Sequence, residues 1–405
     1  MAAVADPSGQ RQRYIPDLLD VHAEELAYLW GRRRASLLSD SLNLRHLAAL
    51  NERIEAHTQG LLVAPEALER QFAVHLGLQD RDAAFAAAHA LLRSGLAGVQ
   101  LVMDAVPRAQ PEGLAGMRDA LCIVDVDAAE AALRALLECA DAAVAATAAY
   151  VLATHRRLDP ASPRLESLLM EPEPAIALLA WKVVALLGDS ASAPPRPYKV
   201  ALQDESAAIR DAALRAAIWQ GLAWAPATVR RLAEAQDPVA LPWLSATAGP
   251  EALPFFQALT AADSRSCAVV RQIGRYGHPA LCEPLLDMLN DADPQLSEAA
   301  GAAFMRMAGV ALAGERRAIP LDENADEFAR EFGAESYAVD AAQARELWQR
   351  KRETWLTGSR WCRGWDISLR LSKEARQEID LEALWDFGAR AALCGHRSFG
   401  PPSDG

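Results

Sequence analysis

Tryptophan and charged side chains alternate near the carboxyl end of the sequence in a pattern that could form a ligand site. Arg360, Arg363 and Asp366 are interleaved with aromatic residues there, and such groups together can bind a small molecule. The alternative is a cap, in which large aromatic side chains cover the last helices of the fold. The sequence favours the cap. The aromatic residues are five of the ten tryptophans: Trp348, Trp355, Trp361, Trp365 and Trp385.

Cysteine and histidine side chains, the usual metal ligands and nucleophiles, are scattered along the chain. Cys394 and His396 could form a pair of ligands, but a metal site needs a second cluster, and the sequence has no Cys-x-x-Cys motif. We therefore interpret Cys394 as a buried thiol near a chain end, and His75 and His89 as packing residues. The six cysteines are typical of reduced thiols. The sequence predicts no catalytic residue, no metal and no cofactor.

The net charge of −13 and the pI near 5.2 argue against two classes of partner. Nucleic acids and anionic membranes are bound by surfaces rich in lysine and arginine. The short basic run Arg32–Arg34 is interpreted instead as a helix end that complements the helix dipole. Glycine-rich phosphate loops and the Gly-x-Ser-x-Gly elbow are absent from the sequence. We expect neither nucleic acid nor membrane as a partner, but a protein with a basic face.

The sequence predicts a cytoplasmic location. Residues 1–10 lack the apolar core of a signal peptide and are predicted to be disordered. The charge-free stretch 142–154 is too short to span a bilayer.

The composition of the chain predicts a helical fold. Roughly one in five of the 405 residues is alanine, whereas only 6% are aromatic. Alanine is the strongest helix former but a poor core filler, so the helices must pack closely together. Sandwiches and wide barrels need more β-branched and aromatic residues. We therefore predict an all-α protein.

A pattern of about 30 residues recurs through the middle of the sequence. Each copy begins with an acidic or turn-forming residue, followed by an apolar anchor and an alanine-rich run, and a second apolar helix precedes it. A helix pair of this kind buries its apolar face only when pairs stack on one another. The copies at Leu114 and Cys267 are weaker than the others. The anchors are Phe85, Leu114, Val144, Ile176, Ile209, Val239, Cys267 and Leu296. The preceding helices are predicted at 129–137, 164–169, 228–235, 253–259 and 281–289.

Residues 204–214 and 291–300 resemble the second helix of a HEAT repeat. Both carry an acidic or proline residue before the anchor and two adjacent alanines after it, which let a neighbouring helix approach. The resemblance implies an α-solenoid of about eight helix pairs over residues 61–312. We expect an N-terminal helical cap over 11–60, a Trp-rich C-terminal cap over 313–395 and a flexible tail over 396–405. Within the C-terminal cap we predict a helix at 340–355, an irregular or hairpin segment at 357–367, and a helix pair at 373–394.

Two N-terminal segments, 22–30 and 47–57, are similar to a group of bacterial HEAT-repeat proteins. The glycine-interrupted segment 358–368 is also similar to that group, whose members are often encoded among type VI secretion genes. The resemblance implies a setting without a mechanism, because it brings no catalytic residues. We expect a non-enzymatic protein-binding scaffold, chaperone or adaptor whose partner is a secretion spike, adaptor or effector protein.

Enzymes and small-ligand-binding proteins are the alternative, because some HEAT-like proteins are enzymes. Deoxyhypusine hydroxylase-like members hold iron on His-Glu pairs, and none of the eight histidines here precedes a glutamate. DNA-glycosylase-like members need aromatic residues on a basic concave face. Trp181, Trp219 and Trp243 fall at different positions after their anchors, so we predict that they pack. Phycobilin lyase-like members have similar repeats, but no residue cluster here would hold a tetrapyrrole. The alternative function is a lyase-like or DNA-glycosylase-like site near the C-terminal segment.

Overall fold

The fold was analysed in a computed structural model that describes residues 15–188, 195–261, 265–318, 335–368, 370–397 and 399–402. Within these ranges the chain is helical apart from two short antiparallel strand pairs, which confirms the predicted all-α class. Two predictions fall wholly or partly outside the described residues, namely the disordered N-terminus 1–10 and the end of the flexible tail 396–405.

The described helices follow one another with short connections. Helices α1 to α10 span Pro16–Ser36, Leu44–Leu61, Pro65–Phe72, Arg81–Ser94, Leu96–Ala105, Pro111–Ile123, Glu130–Leu137, Ala142–Thr154, Pro163–Leu169 and Pro174–Leu187. Helices α11 to α18 span Pro195–Ala201, Ala207–Trp219, Ala225–Glu234, Ala240–Thr247, Leu253–Ala261, Cys267–Tyr276, Cys282–Met288 and Pro294–Ala308. Helices α19 to α21 span Ala341–Trp355, Lys373–Glu378 and Leu381–Leu393.

The chain divides into two compact units. The N-terminal unit runs as far as Leu222 and includes the terminal residues from Arg397 onwards, and the C-terminal unit comprises Ala223–His396. The divisions expected from the sequence at residues 60 and 312 stay a prediction.

The anchor residues lie at the start of every second helix. Phe85, Leu114, Val144, Ile176 and Ile209 are buried in α4, α6, α8, α10 and α12, and each of these helices packs against the next within the N-terminal unit. In the C-terminal unit α14 packs against α16, and α16 against α18. The intervening helices α7, α9, α13, α15 and α17 confirm the predicted preceding helices. The alanine-rich runs are therefore the helices that pack on one another.

Acidic residues and prolines begin these helices, as the repeat pattern predicts. Asp80, Asp141 and Asp293 are N-cap residues whose carboxylates accept hydrogen bonds from backbone N–H groups of the first turn. Pro174 and Pro294 occupy the first position of α10 and α18, where no N–H is needed. The caps stop the chain from extending one helix into the next.

The C-terminal segment contains the hairpin that the sequence predicts between 357 and 367. Strand β3 (Trp361–Cys362) pairs with β4 (Trp365–Asp366) around a turn at Arg363 and Gly364, both of which have positive φ. The predicted helix at 340–355 and the helix pair at 373–394 are confirmed as α19, α20 and α21. In chain order this hairpin is preceded by the paired strands of the first sheet, β1 (Gly314–Ala318) and β2 (Glu335–Val339), which the sequence does not predict.

Candidate functional site

Three of the five clustered tryptophans pack together in the C-terminal unit. The ring of Trp355 lies 5.9 Å from that of Trp348 and 5.6 Å from that of Trp361, and all three are buried. The indole N–H of Trp348 donates to Glu283 at 2.8 Å, and that of Trp361 donates to the Trp355 carbonyl at 2.9 Å. Trp365 is partly exposed and Trp385 half-buried. The arrangement is a packed aromatic cluster in which Trp348 and Trp361 have hydrogen-bond partners within their own unit.

Arg360 and Arg390 serve the carboxyl end of α14. Arg360 is buried and donates to the carbonyls of Ser245 and Ala248, both at 2.7 Å. Arg390 donates to the carbonyl of Ala246 at 2.9 Å. Burial, together with the neighbouring Arg390 cation, holds the pKa of Arg360 well below its usual range. These guanidinium groups satisfy the helix carbonyls that have no partner within the helix.

The β3–β4 hairpin likewise donates hydrogen bonds to carbonyl groups at the carboxyl ends of α16 and α18. The Trp361 N–H donates to the Gly277 carbonyl, just beyond α16, at 2.8 Å. The Arg363 N–H donates to the carbonyl of Arg306 at 2.6 Å, and the Gly364 N–H donates to that of Met307, both in α18. Arg360, Arg363 and Asp366 therefore have separate roles, since Asp366 accepts the backbone N–H of Ser368 at 2.9 Å.

The buried Arg306 and the half-buried Arg275 of the repeat helices are paired with carboxylates of the C-terminal segment. Arg306 donates to Asp380 through Nε at 3.1 Å and Nη2 at 2.9 Å, and Arg275 donates to Asp386 at 2.8 and 2.7 Å. Glu382 lies between them, 2.7 Å from Arg306 Nη1 and 3.2 Å from Arg275 Nη1. Burial opposes the charge, but the carboxylates of Asp380 and Glu382 keep the pKa of Arg306 well above its ordinary value. The network joins α16 and α18 to α21.

The other residues singled out in the sequence lie apart from one another. Cys394 is exposed, contrary to the expected buried thiol, because it follows the last residue of α21 at the helix end. Among the described residues no group of three histidine, cysteine or acidic side chains converges as a metal site. The indoles of Trp181, Trp219 and Trp243 are buried, which confirms the prediction that they pack.

A cleft of about 510 Å³ opens in the N-terminal unit. Its walls come from α1, α2, α4 and the segment that follows α6. Its floor is buried and mainly apolar, whereas its rim is exposed and charged. The buried floor consists of Trp30, Ile54, His89 and Val124, the half-buried wall of Arg33, Leu92 and Ile123, and the rim of Asn51, Glu55, Arg93 and Asp125. We call this feature the N-terminal cleft.

Arg33 is held rigidly in the wall of the N-terminal cleft. Its Nε donates to the Asn51 side-chain oxygen at 2.9 Å, and its guanidinium carbon lies 4.8 Å from the centre of the Trp30 ring. Its Nη1 is buried and has no hydrogen-bond partner among the described residues. Burial lowers the pKa of Arg33, although the carboxylate of Asp119 opposes this shift. The side chain is positioned, but one of its donor groups is not used by the fold.

His89 lies in the floor of the same cleft with a second unused polar atom. The side chain is only 4% exposed, and Nδ1 has no hydrogen-bond partner in the described part of the chain. Its ring stacks on Phe85 at 5.3 Å, and Phe85 stacks on Trp30 at 3.8 Å. Burial lowers the pKa of His89 to about 4, with a smaller contribution from the Arg93 cation. The imidazole is therefore neutral at physiological pH.

A buried aspartate fixes the aromatic stack from behind. Asp119 is fully buried, accepts the indole N–H of Trp30 at 3.3 Å and forms two hydrogen bonds with Arg81, at 2.8 and 2.9 Å. Because the indole is anchored in this way, the face that supports Arg33 has a defined position.

The sequence does not predict the position of Arg33 in the N-terminal cleft. In the run Arg32–Arg34, Arg32 is exposed and Arg34 pairs with Asp82 at 2.8 Å. Arg33 and Arg34 lie in the last turn of α1, as expected for a helix end that complements the dipole, but that interpretation does not place Arg33 beside Trp30 in a cleft. The available signal was the spacing of Trp30 and Arg33, which puts both on one side of α1. His89 packs as expected, but packing leaves its Nδ1 unpaired. His75 is half-buried against the ring of Phe72.

No family model matches the chain, and no curated protein matches it. Among the helices of the described residues, none combines the length and the apolar character needed to cross a bilayer.

Proposed function

We propose that the protein is a non-enzymatic protein-binding scaffold or adaptor built as a HEAT-like α-solenoid. Two features of the fold support this proposal. The helices alternate regularly along the chain, and every second helix packs against the next one of its set, from α4 to α12 in the N-terminal unit and from α14 to α18 in the C-terminal unit. In this proposal α1 and α2 are the N-terminal cap. The C-terminal segment is the other cap. This assignment is supported by the hydrogen bonds that the segment donates to carbonyl groups at the ends of α14, α16 and α18.

The observation that carries the proposal is the outward face of α1. Leu18, Val21 and Tyr28 are each between 50 and 59% exposed. The opposite side of this helix buries Leu19, Leu26 and Trp30. A helix that is apolar on two sides has one side for its own core and another for a partner. We call the exposed residues the α1 outer face.

The charge around the α1 outer face specifies the partner. Asp17, Asp20, Glu24 and Glu25 lie on the same helix, and none of the four is buried. We propose that the occupant is an amphipathic helix of another protein, with an apolar stripe flanked by lysine or arginine. The chain as a whole carries a net charge of −13, which favours the approach of such a basic partner. On the sequence resemblance, we propose a type VI secretion spike, adaptor or effector protein and a cytoplasmic setting.

Site-specific crosslinking tests the docking surface. A photoreactive residue in place of Leu18 should crosslink, in the native bacterium, to a helix with basic residues beside its apolar stripe. Leu18→Glu should reduce recovery of that partner by at least about tenfold, because it buries an uncompensated charge.

Leu96→Glu is the matched control, because Leu96 is 76% exposed on another helix of the same unit. Its recovery of partner should equal that of the unchanged protein. Equal losses for Leu18→Glu and Leu96→Glu, or crosslinks to a segment of other chemistry, would refute docking at α1. Unaltered type VI secretion after deletion of the gene would refute only the secretion setting.

Small-ligand binding is a second candidate function, and one observation favours it. The polar residues of the C-terminal segment contact their own unit, but the N-terminal cleft has two buried polar atoms without partners.

A further inference from the structure

We propose that the N-terminal cleft binds a small organic monocarboxylate through Arg33 and His89, with the apolar part of the ligand on the cleft floor. The inference does not rest on the proposed protein-binding function, because the α1 outer face and the cleft use different residues.

The unused donor of Arg33 is the first reason. A buried charged donor without an acceptor costs more free energy than a satisfied one, so the fold alone gains nothing from this Nη1 group. Asn51 and the Trp30 ring nevertheless hold the guanidinium in one orientation. A carboxylate is the ligand group that matches an arginine edge, because its oxygens accept charge-assisted hydrogen bonds.

His89 supplies a second polar contact in the same cleft. Its Nδ1 is buried, has no partner among the described residues and belongs to a neutral ring. The neutral ring can donate or accept one hydrogen bond at Nδ1, according to its tautomer. A polar ligand atom over the floor would satisfy it.

The charge of the rim decides between a monocarboxylate and a polyanion. Arg93 is paired with Glu55, through Nη1 at 2.5 Å and Nη2 at 3.1 Å, so its charge is already compensated. Asp125 adds a negative charge at the rim. Arg33 therefore remains the cation available to a ligand, and phosphate or a dicarboxylate would meet the two acidic rim residues.

The shape and lining of the cleft define the rest of the ligand. A volume of about 510 Å³ is in the range of small-molecule sites. The floor and wall present the side chains of Trp30, Ile54, Leu92, Ile123 and Val124. An aromatic or branched apolar body on this surface would bury it from water.

Calorimetric titration with four probes tests the chemistry. Phenylacetate should bind with a Kd of about 1 mM or tighter. Its neutral amide, phenylacetamide, and the dianion succinate should bind at least about tenfold more weakly. The fourth probe is a short peptide that ends in phenylalanine, with a free or an amidated carboxyl end. If the peptide binds only with its carboxyl end free, the carboxylate can come from a protein terminus. If phenylacetate binds and the peptide does not, the ligand is a free acid.

Variants locate the binding. Arg33→Gln should weaken phenylacetate at least about tenfold, and His89→Leu should weaken it less, because a neutral hydrogen bond contributes less than a charged one. Arg32→Gln is the matched control, with the same change of charge at an exposed neighbouring residue, and should bind as the unchanged protein does.

Circular dichroism and the melting temperature show that each variant is folded. Failure of both phenylacetate and the free-carboxyl peptide to bind the unchanged protein would overturn the proposal. So would equal effects of Arg33→Gln and Arg32→Gln, or tighter binding of succinate than of phenylacetate.

Discussion

The buried and half-buried arginines of the two units differ in the acceptors that their guanidinium groups find. In the C-terminal unit, Arg275 and Arg306 meet carboxylates, and Arg360 meets backbone carbonyls. In the N-terminal unit, Arg81 meets Asp119 in the same way, but Nη1 of Arg33 meets no acceptor among the described residues. An arginine whose donor groups are paired within its own chain stabilises the fold. An arginine that lies beside a cleft and has an unpaired donor group can instead donate a hydrogen bond to a ligand.

The aromatic clusters of the two units also differ from each other. Trp348, Trp355 and Trp361 pack on one another, and the indole groups of Trp348 and Trp361 donate hydrogen bonds within the unit. The stack of Trp30, Phe85 and His89 lies at the floor of a cleft and ends on an imidazole with an unpaired nitrogen. A density of tryptophan in the sequence is therefore a poor guide to a site, because the sparser aromatic region is the one that has unsatisfied polar atoms.

The largest expected effect is the loss of a buried carboxylate in the C-terminal unit. Asp380→Ala removes both of these hydrogen bonds from Arg306 and the N-cap of α21, and leaves the buried Arg306 with Glu382 as its remaining carboxylate partner. We expect the free energy of unfolding to fall by about 3–5 kcal/mol. Urea unfolding, followed by fluorescence of the tryptophan cluster, measures the change.

Two further variants make this result specific. Asp366→Ala changes an exposed carboxylate of the same segment and should cost less than about 0.5 kcal/mol. The double variant Arg306→Met with Asp380→Leu removes both charges and should recover most of the loss. A cost for Asp380→Ala no greater than that of Asp366→Ala would mean that the network does not stabilise this unit.

The next effect is the acid sensitivity of the N-terminal unit. The unfolded chain protonates His89 near its ordinary pKa of 6.5, whereas burial in the folded state lowers this pKa to about 4. Between these values the unfolded state binds more protons, so stability present above pH 6.5 is lost as the pH falls towards 4. The difference corresponds to roughly 3 kcal/mol.

The variant His89→Leu isolates this contribution from other titrating groups. Stability should be measured by urea unfolding at several pH values between 7 and 4, for both proteins. The unchanged protein should lose more stability than His89→Leu over this range. Parallel curves would show that the folded protein accommodates a charged imidazole at residue 89.

Close helix approach in the N-terminal unit gives a smaller effect. A Cβ at Gly116 in α6 would lie 2.2 Å from the Arg81 carbonyl oxygen and 2.7 Å from the Phe85 nitrogen, both in α4. Gly116→Ala should therefore push the two helices apart and cost about 1–3 kcal/mol. Thermal unfolding measures the loss, and Gly77→Ala is the control, since no atom lies within 4 Å of a Cβ there.

The C-terminal unit offers the counterpart of this contact. A Cβ at Gly274 in α16 would lie 2.7 Å from the Cβ of Ala303 in α18. Gly274→Ala should destabilise less than Gly116→Ala, because its shortest contact would be 2.7 Å, compared with 2.2 Å at Gly116. The reverse order would mean that α16 and α18 tolerate less movement than α4 and α6.

The sequence predicts the helices better than it predicts the cleft. Anchors such as Phe85 and Ile176 recur with the helix pairs, and acidic caps such as Asp141 mark where helices begin, because both signals are local. The paired strands β1 and β2 are missed because their partners lie about 20 residues apart and their side chains are largely polar. The cleft is missed because Arg33, Asn51 and His89 come from three helices, and only their packing shows which polar atoms remain unpaired.

The smallest expected effect on stability is at Arg33, and it gives the sharpest test of the comparison. Arg33→Gln removes a half-buried cation whose buried Nη1 has no acceptor among the described residues, so the lost contacts with Asn51 and Trp30 are offset by the avoided desolvation. We expect the free energy of unfolding to change by less than about 1 kcal/mol. Arg81→Leu, by contrast, leaves Asp119 buried without its main cation and should cost several times more. Urea unfolding of both variants measures the ratio. A large loss of unfolding free energy for Arg33→Gln would mean that Arg33 stabilises the fold as Arg81 does. The arginines of the two units would then have the same structural role.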